Sequence, residues 1–487
     1  MKKLSLIFIV CVSSFLFSCK DDLELSPFDK LEEEAAFKTP SDFTAALRGS
    51  YSRLLGFEGT YYGGRMLILP DVISDNLIIS QTGRRSLQSF YQLIYDANST
   101  WGELLLYGYS SIDRANRIIK NLDALPEGEF KNSVEGQARA IRALAHFDLV
   151  KTFSPAYTAV ADPAAAGGVP IITTPDASAK PSRNTLEETF NFIISELKAA
   201  KDLVPNNADM ISSGFMNQAA VSSLLARVYL YKGDYPNARQ EASEAATLIG
   251  SADQAIASLT EFPKIWKDNS VGNAGVVFKL LVTEQDQIYP GSEFNQTSSA
   301  GVRSEYVPTF DFYALYDDND IRKTAYFTTS AFSGNVYNHI VKYSSRPGSS
   351  ANVVDVKVIR GAEVYLTLAE AQYRTGDEAG ALASLDAVRS RRYTGFSSPG
   401  ESGEALLNEI LKQRRLELAF EGHRLYDLKR LGLPIIRSGV YGDNADGSGT
   451  PAPVNTRNLP GNDYRFTLPI PTAERQANPN FQQSPIY

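Results

Sequence analysis

The residues whose types and spacing most suggest chemistry lie in RRLELAFEGHRLYDLKRLG, residues 414–432. Glu417, Glu421, His423 and Asp427 fall within eleven positions, and His423 is one of three histidines in 487 residues. Two carboxylates four apart on one helical face can share a metal ion, and a carboxylate beside an imidazole can move a proton. Helical geometry argues the other way. Read as one helix, Arg414–Glu417, Glu421–Arg424, Arg424–Asp427 and Asp427–Arg430 are opposite charges three apart, which makes them surface neighbours. Asp427 then has a cation on each side, which favours an ionised, structural carboxylate over a proton-transfer group. His423 falls roughly 200° round the helix from Glu421, at about 100° per residue. The stretch reads as scaffold.

No other pattern supplies catalysis. G-x-S-x-G, G-x-x-x-x-G-K-[ST], H-E-x-x-H and a G-x-G-x-x-G after a strand are all absent. His146, His339 and His423 are scattered, so no zinc set of cysteine and histidine forms, and the sequence carries no cofactor motif. Carboxylate pairs of the glycosidase kind stay open, because 56 acidic residues offer too many to choose among. A formal net charge of −8 and the lack of a Lys/Arg run argue against nucleic acid as a partner.

The elements that must position any site are mostly helical. Apolar residues recur at helical spacing over 41–55, with Ser41 as the expected N-cap, and again over 100–125, 133–153, 182–203, 216–249, 359–375, 377–392 and 403–431. The helix at 133–153 is alanine-rich on its apolar face, which lets a neighbour approach closely. Two stretches, ARVYLYKGDYPNA and AEAQYRTGDEAGA, share A-x6-G-D-x3-A, with Ala226/Ala369, Gly233/Gly376, Asp234/Asp377 and Ala238/Ala381 in register. Small residues for close packing, Gly for a left-handed turn and Asp as the next cap describe a helical hairpin of the tetratricopeptide kind. The segment 274–282 reads as a strand, whereas 56–100, 154–183, 250–350 and 433–487 are irregular. Long irregular segments inside a compact chain usually carry function, and the aromatic content of 250–350 argues against disorder.

The N-terminus has its own logic. Lys2 and Lys3 precede an apolar run over 4–18 that ends in LFSC. The run is too short to span a bilayer comfortably and reads as an export signal. Cys19 sits where a bacterial lipoprotein carries its acyl chains, and residues 19–30 read as a lipidated tether. Cys11 leaves with the signal, so no disulfide is expected.

Together these features resemble the SusD/RagB family of outer-membrane lipoproteins. The carrying residues are RRLELAFEGHRLYDLKRLG, KDD after Cys19, Trp101, Tyr109, Ile112, Ala115 and Asn116, QARAIRALAHFDLVKTF, NQAAVSSLLARVYLYKGDY, IRGAEVYLTLAEAQY and LPIPTAERQANPNFQQSP. Gln413, Gln137 and His146 depart from the family pattern at scaffold positions. The resemblance implies an all-α fold in one domain over 31–487, with tetratricopeptide-like hairpins as scaffold, minor β structure and a loop-rich ligand face. It implies a non-catalytic protein, lipid-anchored at the outer membrane through Cys19 and exposed at the cell surface. Such a protein binds a glycan and delivers it to a SusC-type TonB-dependent transporter; the alternatives are a peptide ligand, as in the RagB branch, or a surface glycoside hydrolase. Sugar rings stack their C–H faces on aromatics and satisfy their hydroxyls on polar side chains. By resemblance to the family's starch-binding pattern, Asp75, Arg84 and Trp101 are candidate contacts, and Tyr289, Phe294 and Tyr306 are candidates from the mid-chain insertion.

Overall fold

The computed structural model describes residues 36–487 except 58, 100, 101, 271, 287, 485 and 486. The expectations for the export signal and for Cys19 and Trp101 therefore lie outside the described residues. The helices that form the scaffold are α1 (Pro40–Leu55), α2 (Arg65–Ile73), α3 (Gly102–Lys120), α4 (Glu129–Phe153), α5 (Leu186–Leu203), α6 (Gln218–Lys232), α7 (Tyr235–Ile249), α8 (Gly361–Arg374), α9 (Glu378–Arg389), α10 (Gly403–Glu417) and α11 (Arg424–Leu431). α1, α3, α4, α5, α6, α7 and α8 pack one on the next, and α9 and α10 close the far end against α8.

Local chemistry sets the boundaries. Thr39, not Ser41, caps α1: its side chain accepts from the Asp42 amide and Pro40 takes the first turn, where a missing N–H costs nothing. Both Gly-Asp turns form as the register requires. Gly233 and Gly376 take φ of 77° and 85°, and the Asp234 and Asp377 side chains cap α7 and α9. Ala226, Ala369, Ala238 and Ala381 are buried where the hairpin helices meet. α7 and α8 then pack together, so repeats distant in sequence stack in space, and Arg239 pairs with Asp377 at 2.7 Å across that seam.

Two helical expectations are corrected. The 56–100 stretch contains α2, whose nine residues RMLILPDVI are all buried; a helix buried on every side shows no polar face and so no period to read. The 403–431 helix is broken in two, because Phe420 and Gly422 take φ of 64° and 81° between α10 and α11.

Among the described residues the β structure is five antiparallel pairs. β1 (Leu77–Ile79), β2 (Val276–Leu280), β3 (Tyr306–Pro308), β4 (Phe327–Phe332), β5 (Asn335–Ile340) and β6 (Val356–Arg360) make up three of them, pairing β1 with β3, β2 with β6 and β4 with β5. The β1–β3 ladder joins the 56–100 and 250–350 stretches, which are far apart in sequence.

Candidate functional site

The acids of 414–432 are bound by cations drawn from the whole chain. Glu417, fully buried, accepts from Arg360 at 2.7 Å and from Arg392 at 2.8 and 2.9 Å, with Arg322 at 3.5 Å. Glu421 accepts from Arg360 at 2.6 and 2.7 Å and from Lys342 at 2.7 Å. Arg414 reaches across the helix break to Asp427 at 2.9 Å, and Arg430 meets Asp427 at 2.8 Å. Of the four i,i+3 pairs expected on one helix, only Asp427–Arg430 forms, since the break redirects the rest. Burial alone would raise the Glu417 and Asp427 carboxyls; Arg392 and Arg360 at the first, and Arg414 and Arg430 at the second, outweigh it and hold both down. Burial, reinforced by Arg227 and Arg414, pushes His423 well below its usual range and keeps it neutral. A locked carboxylate and a neutral imidazole are poor proton carriers at neutral pH, so the cluster braces the fold.

The face built on β1–β3 is the better candidate. Glu305, just before β3, organises it. Its backbone carbonyl accepts from the Ser80 amide at 3.0 Å, and its carboxylate accepts from the Ser86 amide at 2.7 Å and from Arg84 Nε at 2.8 Å. The next residue, Tyr306, is buried and its hydroxyl accepts from the Leu87 amide at 3.0 Å. Gly83 sits so close that a Cβ there would lie 2.4 Å from the Glu305 Cα. The 81–87 loop is thus pinned to the insertion along its length.

The candidate contacts separate on this frame. Arg84 is half-exposed, with its Glu305 partner beneath it. Asp75 is buried and takes Arg424 in a fork at 2.7 and 2.8 Å, with Arg415 at 3.3 Å. Phe294 is buried against Phe420, with ring centroids 5.7 Å apart. Tyr289 is partly buried against the main core, where its ring covers Gly59 so closely that a Cβ would lie 2.3 Å from it. The structure gathers Arg84, Phe294 and Tyr306 around residues 304–305 but opens only Arg84 to solvent; Asp75, Phe294 and Tyr306 stand behind the surface.

Asp75 gives a direct test of that bracing. Burial would raise its carboxyl, and Arg415 and Arg424 outweigh it, lowering it to about 2. A depressed carboxylate stabilises the fold above its ordinary pKa and loses that contribution as pH falls through the folded value. Wild type is expected to exceed Asp75→Asn in unfolding free energy by roughly 2 kcal/mol at neutral pH, because each tenfold change in proton affinity is worth about 1.4 kcal/mol. The gap should close as pH approaches about 2 in urea denaturation; a gap independent of pH would contradict the ionic assignment.

An aromatic pair outside the expected set completes the face. The rings of Phe310 and Tyr441 lie 4.7 Å apart and tilted by 38°, and Tyr441 is 38% exposed. Gly447, at φ 83°, lets the 438–453 loop close over them: a Cβ there would touch both rings at 3.0 Å. Asp443 in this loop accepts from the Gln81 amide at 3.0 Å, tying it to the 81–87 loop. The one signal in the sequence is a lone aromatic amid the turn residues of SGVYGDNADGSGTP.

Comparison with known proteins agrees with this architecture. A family model described as "SusD family" matches residues 284–487, and one described as "Starch-binding associating with outer membrane" matches residues 69–230. SusD-like protein P2 of Formosa agariphila is 29% identical over 98% of this chain and 98% of its own length. A candidate sugar-binding protein of Bacteroides vulgatus superposes with a TM-score of 0.80 at 31% identity, covering 93% of this chain and 99% of that one. A SusD superfamily protein of Bacteroides thetaiotaomicron does so with a TM-score of 0.79 at 26% identity, over 92% and 100% of the two chains.

Proposed function

This chain belongs to the SusD-like family of carbohydrate-binding proteins, and from that premise we propose that it is a surface lipoprotein of the outer membrane that captures a glycan and passes it to a TonB-dependent transporter. It acts by binding, without catalysis. The observation that carries the reading is the Phe310–Tyr441 ring pair, its Tyr441 ring exposed and its Phe310 ring half-buried, set on the same loop face as the half-exposed Arg84. An open ring can stack on the C–H face of a sugar while a guanidinium takes its hydroxyls. Trp101 is proposed as a further contact. Asp75, Phe294 and Tyr306 would act from behind, and Tyr289 from beside the Gly59 turn. Cys19 is proposed as the lipid attachment point.

Affinity electrophoresis against a panel of polysaccharides tests this. Tyr441→Ala should weaken retention by about two- to twelvefold, the worth of about 0.5–1.5 kcal/mol for one aromatic contact. Retention unchanged by that substitution would contradict the stacking site. Binding to a protein hydrolysate with none to any polysaccharide would move the ligand to peptides. Release of reducing sugar, abolished by one carboxylate substitution, would make the protein a hydrolase. Co-purification of a TonB-dependent transporter tests the partner.

A further inference from the structure

A hollow of about 90 Å³ opens between the 81–92 loop and Thr450 to Pro453, at the end of the loop that carries Tyr441. Ligand pockets begin at roughly 300 Å³, so this one fits a substituent and not a sugar ring. Its lining is unusual in this acidic protein. Gln81, Gln88 and Gln92 bring amides, Arg85 a guanidinium and Tyr91 a phenol against an apolar wall of isoleucines and prolines, and among the described residues no carboxylate lines it. Arg85 takes φ 62°, and its guanidinium donates to Gln81 Oε1 at 2.6 Å and to the Gln81 carbonyl at 3.4 Å, both neutral acceptors. Tyr91 is 1% exposed, and its buried hydroxyl has no hydrogen-bond partner of full geometry among the described residues. The Ile79 amide faces that oxygen, so the hydroxyl proton is left without an acceptor.

A second cation lies behind the ring. Arg437 sits 4.1 Å from the Tyr91 centroid and is buried. Among the described residues its guanidinium donates only to the carbonyls of Ser74, Tyr91, Val72 and Ile73, at 2.6–3.0 Å. Carbonyl dipoles satisfy its N–H groups without neutralising its charge. The nearby Asp443 is held by the Gln81 and Thr450 amides at 3.0 and 2.9 Å.

We propose that this hollow is a subsite for an anionic substituent, a carboxylate or a sulfate ester, on the bound saccharide. It rests on the reading of the loop face as the glycan site and adds the charge class of the ligand. An anion would accept from Arg85, from the glutamine amides and from the Tyr91 hydroxyl, and would lie in the field of Arg437. Charge-assisted bonds of this kind are about twice as strong as neutral ones.

Ligand-observed NMR titration of the full chain with galacturonate, galactose 6-sulfate and galactose tests the assignment. At least one charged sugar should bind about tenfold more tightly than galactose and weaken with added salt. Arg85→Gln should remove most of that preference, and the near-isosteric Tyr91→Phe should reduce it by about threefold. Preference for galacturonate assigns a carboxylate, and preference for galactose 6-sulfate a sulfate ester. Equal binding of all three sugars, or a charge preference untouched by Arg85→Gln, overturns the proposal. Polysaccharide retention lost in Tyr441→Ala would still uphold the glycan reading in that event, so the two failures are distinguishable.

Discussion

Glu417→Gln is expected to destabilise the protein by about 3–5 kcal/mol, the typical cost of leaving a buried charge uncompensated. The carboxylate is fully buried and serves Arg360, Arg392 and Arg322 together. Glutamine keeps the shape but removes the carboxylate that Arg392 relies on, while Arg360 keeps Glu421 and Arg322 keeps Asp320. Arg392 would be left buried with the Ala257 and Arg391 carbonyls and the face of the Phe262 ring, 3.8 Å away, none of which carries a countercharge. Urea denaturation should show a large drop in midpoint. Restoring charge with Glu417→Asp should recover only part of it, since the shorter side chain reaches fewer of the three arginines. A loss below about 1 kcal/mol for Glu417→Gln, the range of an exposed pair, would mean that water or other carboxylates compensate the cluster.

Gly422→Ala should be comparably severe, and for a separable reason. At φ 81° any side chain is strained, at about 1–2 kcal/mol. An added Cβ would also lie 2.1 Å from the Met66 carbonyl oxygen at the start of α2. That atom is backbone in a fully buried helix, so the helix or the break must shift. Gly432→Ala is the matched control: φ is 64° and nothing lies within 4 Å of its Cβ. A thermal melt should show Gly432→Ala losing only the conformational part and Gly422→Ala losing distinctly more or failing to fold. Equal losses would remove the close approach of α2 as the reason for glycine there.

Both predictions fall in one stretch, and it shows why some features were legible in advance. The acids of 414–432 read as structural because cations abound nearby, and that conclusion holds. Their partners were not legible. Glu417 pairs with Arg360 across 57 positions and Arg424 turns to Asp75 across 349, and helical spacing is silent about both. The candidate contacts divide likewise. Aromatics in an irregular stretch have no period, so Phe294 and Tyr306, which are buried, and Tyr441, which is exposed, look alike in sequence.

The sequence by itself determined the amphipathic scaffold helices other than α2, the two Gly-Asp hairpin turns and the scaffold role of the acid-rich stretch, because each depends on neighbours within a few residues. The tertiary structure alone decided the break at Phe420–Gly422, the burial of α2, the partners of the buried charges and the face formed by residues 81–92, 305–310 and 438–453. Those depend on which distant segments share a low-dielectric interior, where an unpaired charge is costly and every cation must find its anion or its carbonyls.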